Sequence, residues 1–216
     1  MSKEKMGMRI GESIFSIGYL LFTLVASIIF LNNYTNKIFL LYGIMTLILG
    51  IGDSFHLIPR IIKNIKGNND KTTWWMNFGL IVTSITMTIF YIFLFYIWQI
   101  KYNDSITSIV KYAIWITAIA RILICLLPQN NWFNGGNKKM SILRNGIFII
   151  TGLIDVVLFI MLKNSYGITN SICIILSFLF YIPVTLYGKE KPKLGMLMIP
   201  KTIMYIIIIS LGLSLL

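Results

Sequence analysis

Long apolar runs alternate with short polar stretches along the whole chain. Seven runs stand out, at residues 10–31, 38–58, 74–97, 106–127, 142–162, 168–187 and 196–216. At the helical rise each covers about 30–36 Å, the thickness of a bilayer's hydrocarbon core. The runs are continuous rather than alternating, so they predict helices and not barrel strands. The stretches between them, NNYTNK, KNIKGNNDK, KYND, PQNNWFNGGNKK, KNSYG and GKEKPKLG, carry the residues that break helices. Pro59, Pro128 and Pro192 fall at or beyond the predicted ends, whereas Pro183 and Pro200 fall inside spans six and seven and predict kinks.

The pattern predicts an all-α fold: a polytopic integral membrane protein, a bundle of seven transmembrane helices in a single domain over residues 1–216. Composition agrees. The chain is 57% hydrophobic and 12% charged, about half the charge of a soluble domain. That excludes a soluble enzyme, a disordered tail and a disulfide scaffold. Cys125 and Cys173 both lie inside apolar runs and read as small packing residues. The N-terminal stretch leads into a full-length run with no A-x-A-like cleavage site, so it reads as a retained first helix. Abundant Ile, Lys and Asn with little Ala point to an AT-rich bacterial genome, hence a bacterial inner membrane.

Net charge is +12, and its distribution sets an expected orientation. Lys3, Lys5, Arg9, Arg60, Lys63, Lys66, Lys71, Lys138, Lys139, Arg144, Lys189, Lys191, Lys193 and Lys201 fall on one side, fourteen in all. Lys37, Lys101, Lys111 and Lys163 fall on the other, and Arg121 lies within span four. The positive-inside rule then places the N-terminus in the cytoplasm and the C-terminus outside. The charge is spread over short loops, with no broad soluble face, which argues against a nucleic-acid partner. A faint echo joins Arg9-Ile-Gly11 to Arg144-Asn-Gly146, and Leu31-Asn-Asn-Tyr34 to Leu162-Lys-Asn-Ser165. It points to a 3+1+3 internal repeat.

Ionisable residues inside a bilayer are costly and mark function by default. Glu12, Ser16, Tyr19 and Thr23 share one face of span one; Thr46, Asp53, His56 and Arg60 share one in span two. Asn77, Ser84, Thr88 and Tyr91 line up in span three, Thr117 and Arg121 in span four, and Arg144, Thr151 and Asp155 in span five. Six residues form the candidate ligand site: Asp53, His56, Arg60, Arg121, Arg144 and Asp155. Depth along the helices predicts a vestibule open to the cytoplasm and narrowing toward Asp155, which lies about 20 Å in. Arginine presents a fork suited to phosphate or carboxylate. Asp53 and His56, three residues apart, can contact each other as an acid–base pair, and Asp155 can pair with Arg121. Asn130, Asn131 and Trp132 read either as lining of the mouth or as a capping cluster.

No catalytic, cofactor or metal motif is found. One His is too few for a seven-span zinc hydrolase, and HExxH, GxSxG and a Walker A loop are missing. Lys201 lies near a helix end, which argues against a Schiff-base pigment. Pro128-Gln129 resembles the dipeptide of PQ-loop transporters, but it stands only in the linker helix and in the opposite orientation, so no role carries over.

Three functional readings follow. The first is a multi-pass cell-membrane transporter or binding protein for an anionic or polar solute or a lipid head group, proton-coupled since no ATP motif exists. The second is an intramembrane enzyme acting on a lipid-borne substrate, with His56 and Asp53 as acid–base pair. The third is a structural or regulatory membrane subunit. Membrane lipid is the expected surroundings, and ATP-driven work or signalling output requires a protein partner or a second copy of the chain.

Overall fold

A computed structural model describes residues 3–102, 108–188 and 190–216, and these are all-helical with no strand among them. Seven long helices follow in order: α1 (Lys3–Asn32), α2 (Lys37–Lys66), α3 (Asp70–Tyr102), α4 (Ser108–Leu126), α5 (Lys138–Met161), α6 (Ser165–Tyr187) and α7 (Met198–Leu213). All seven are long and apolar enough to cross a membrane. Lys189, counted in the charge tally, and residues 103–107, which include the expected start of span four, lie outside the described residues.

The asparagines of the connections explain the helix starts. Asn36, Asn137 and Asn164 each stand just before a helix and accept backbone N–H groups of its first turn, at Ile38, at Lys139 and Met140, and at Gly167 respectively. They satisfy donors that a helix start leaves without partners. After α4, Asn130 is fully buried and its amide nitrogen donates to the carbonyls of Ile124, Cys125 and Leu127. Trp132 Nε1 donates to the Cys125 carbonyl at 3.0 Å. These two side chains close the end of α4 rather than lining a mouth.

Two proline expectations change. Helix α2 runs through Pro59 and ends at Lys66. Pro200 lies in the first turn of α7, where no intrahelical donor is required, and the preceding residues Pro192–Leu197 form a 3-10 helix.

Each helix packs on the next in sequence, and α7 returns to α1, so the seven close into a ring. Additional contacts of α3 with α5 and of α7 with α2 fill its middle. The α2–α3 seam is the most extensive and the α1–α7 seam is short. Helix α2 approaches α3 through small residues: Thr83 Oγ1 donates to the Gly52 carbonyl at 3.2 Å, and a Cβ on Gly79 would strike the Phe55 carbonyl. Pro59 lacks the N–H that would normally serve the Phe55 carbonyl, and Gly79 sits against that carbonyl. Where α3, α5 and α6 meet, Tyr91, Phe148 and Phe178 pack ring on ring at 4.9–5.7 Å between centroids. This aromatic knot forms the bottom of the space described next.

Candidate functional site

The first half of each odd helix and the last half of each even helix gather at the end of the ring that holds Arg9, Arg60 and Arg144. A cavity of about 540 Å³ lies within that half, and all seven helices contribute to its wall. Position along the helices divides the wall into three zones. At the rim are Arg9, Glu12, Arg60 and Lys193. Below them is an apolar throat that includes Phe15, Leu57, Met198 and Ile199. At the floor are Tyr19, Asp53, Arg121, Tyr181, Lys201 and Tyr205.

At the rim, Arg60 Nε pairs with Glu12 Oε1, so that cation already has its anion. On the floor, Tyr19 donates its hydroxyl to Asp53 Oδ2 at 2.7 Å. Lys201 interacts electrostatically with Asp53, yet no ion pair within 4.0 Å joins them. Its ammonium instead lies over the rings of Tyr181 and Tyr205, at 4.7 and 5.2 Å. Arg121 is 1% exposed, its Nε and Nη1 have no hydrogen-bond partner, and its guanidinium stacks on Phe148. Two buried cations thus face a single carboxylate, and both lean on aromatic faces, a weaker substitute for an anion.

His56 lines the cavity beside them. Its Nδ1 lies 3.2 Å from the Met76 carbonyl. A carbonyl only accepts, so Nδ1 carries the hydrogen and Nε2 is the ring's free acceptor. Among the described residues no hydrogen bond joins Asp53 to His56; their partners are Tyr19 and Met76, on other helices. The spacing permits contact, but each side chain takes its hydrogen bond from another helix.

Of the six candidate residues, Asp53, His56, Arg60 and Arg121 line the cavity, while Arg144 and Asp155 do not. Arg144 donates to Asn130 Oδ1 at 2.8 Å and lies over the Trp132 ring, which ties the α4–α5 connection to α5. Asp155 is 0% exposed, and neither of its carboxylate oxygens has a hydrogen-bond partner. It lies beyond the aromatic knot, so the cavity ends short of it, and no ion pair with Arg121 forms among the described residues.

Lys201 belongs to the floor although it stands outside the six candidates. Its sequence signal is faint: it is the basic residue that interrupts the apolar run of span seven, with Tyr205 four residues on along the same helix face. Tyr181 carries no such signal, being one aromatic among many. No protein-family model matches the chain, and no curated protein or solved structure gives a significant match.

Proposed function

We propose that this chain is a small-molecule transporter or binding protein of the cell membrane whose cavity takes an anionic ligand. The single observation behind this reading is the charge imbalance at the floor: Arg121 and Lys201 buried together against Asp53 alone, with guanidinium donors left over. Burying an uncompensated cation is costly, and a bound carboxylate or phosphate offsets that cost with charge-assisted hydrogen bonds. The rim contributes Arg9 and Lys193, which draw anions toward the mouth.

In this reading the basic end faces the cytoplasm, so the N-terminus is cytoplasmic and the vestibule opens inward. Transport is driven by protons, with Asp53 and His56 as the exchanging groups nearest the ligand. The 3+1+3 repeat rests on the sequence echo alone. The enzyme reading is weaker, because His56 takes its orientation from a backbone carbonyl and not from Asp53.

The test is thermal unfolding of the purified full chain with a panel of carboxylates and phosphates and with cations of matched size. Ligands that bind only the folded state raise the midpoint by mass action. At least one anion is expected to raise it, and Arg121→Gln to abolish the rise. If no anion separates the wild type from that variant, the reading is wrong and a structural subunit becomes the better account.

A further inference from the structure

The chemistry of the ligand can be narrowed, on the reading above that the cavity takes an anion. Between charged rim and polar floor the wall is apolar and soft. Four methionines line the cavity: Met8 and Met196 at its mouth, Met198 in the throat and Met87 at the depth of the floor. Their unbranched, polarisable side chains adapt to a flexible partner better than branched ones do. A bare inorganic anion would fill the floor and leave this apolar surface unused.

The wall is lowest between α1 and the 3-10 segment that leads into α7. Met8 and Met196 are 45% and 55% exposed while also lining the cavity. Gly11, on the same wall, leaves open space: a Cβ added there meets nothing within 4 Å. An extended apolar chain therefore has a way out of the cavity between Met8 and Met196, beside the charged rim.

We propose that the ligand is a single-chain amphiphilic anion. Its acidic group lies on Arg121 and Lys201, and its chain runs along the apolar throat past Met198 and leaves between α1 and the 3-10 segment before α7, between Met8 and Met196. Carboxylate and phosphate heads share this chemistry. The apolar throat and the methionines of the mouth select for the chain, and the two floor cations select for the charge.

The experiment measures thermal unfolding of the full chain in phosphatidylcholine nanodiscs. The probes are acetate, hexanoate, octanoate, decanoate, decyl phosphate and inorganic phosphate, with decanol and decyltrimethylammonium as chain-matched controls. Affinity is expected to rise about fourfold per added methylene, the factor for burying one such group. The response to decanoate or decyl phosphate is expected to vanish in Arg121→Gln and Lys201→Gln, and the two controls to give none. Acetate or inorganic phosphate binding as tightly as decanoate, with the same dependence on Arg121, overturns the amphiphile inference and leaves the anion reading intact. A decanoate effect that decanol reproduces, or that both variants retain, marks partition into the bilayer and also overturns it. If no anion of any length distinguishes wild type from variants, both readings fall.

Gly11→Phe keeps the test decisive should the floor variants fail to fold. The open space at Gly11 accommodates the new ring, which narrows the gap without touching the floor. Decanoate is expected to bind at least about tenfold more weakly there, since the ring displaces two or more buried methylenes, with acetate unchanged; equal decanoate affinity overturns the assigned path.

Discussion

The Arg121 guanidinium carbon lies 3.2 Å from the centroid of the Phe148 ring. The charge on α4 is thus held by a π face on α5, in the aromatic knot beneath the cavity.

Phe148→Leu keeps an apolar side chain at this place and removes the ring's negative face. Part of its destabilisation, about 1–2 kcal/mol, is expected to disappear when Arg121 is already Gln, since a desolvated cation–π contact has that size. Chemical denaturation of the four proteins of a double-mutant cycle measures the coupling. Strict additivity of the two substitutions contradicts it.

Tyr19 and Asp53 join α1 to α2 through one short hydrogen bond at the floor. Tyr19→Phe is expected to cost about 1.5–3 kcal/mol, the range for a hydrogen bond to a charged group. In an Asp53→Asn background the same substitution is expected to cost clearly less. Equal losses in the two backgrounds show that the ring's packing, and not the hydroxyl, holds the pair.

Asp155 has both carboxylate oxygens buried and without partners. Asp155→Leu is expected to raise stability by about 1–3 kcal/mol, because it replaces an unsatisfied buried carboxyl with an apolar side chain of the same branching. Anion binding at the floor is expected to persist, since Asp155 does not line the cavity. A lowered melting temperature in Asp155→Leu overturns this account.

Gly79 and Gly11 make an internal comparison. A Cβ on Gly79 would strike the backbone of Phe55 and His56, whereas one on Gly11 meets nothing within 4 Å. Gly79→Ala is expected to destabilise by about 1–3 kcal/mol through overpacking. Gly11→Ala is expected to stabilise by about 0.5–1 kcal/mol, the usual gain of Ala over Gly inside a helix. Matching effects at the two positions refute the close α2–α3 approach.

The seven helices were legible because a spanning helix satisfies its own backbone and must be apolar along its length, so local composition carries the signal. Pro59 shows where that reasoning stops. Nothing local reveals that α2 continues to Lys66 beyond it, with the Phe55 carbonyl that it leaves without its donor resting against Gly79 on the neighbouring helix. At the site, helix faces and depth brought Asp53, His56, Arg60 and Arg121 to one cavity. They could not separate Asp155 from it, because depth along α5 says nothing of the rings of Tyr91, Phe148 and Phe178 that intervene. Lys201 was the converse: its position near a helix start hid a side chain that turns inward onto Tyr181 and Tyr205.

The carbonyl that Pro59 leaves without its helical donor, and the glycine that fits against it, divide the ring mechanically. Helices α2 and α3 are keyed together backbone to backbone, so they behave as a single post. Beside that post α1 and α7 touch each other over only a short stretch. Asp53 and His56 stand on that post, and Tyr19 and Glu12 tie α1 to it, so the seam between α1 and α7 is the weakest joint beside the cavity.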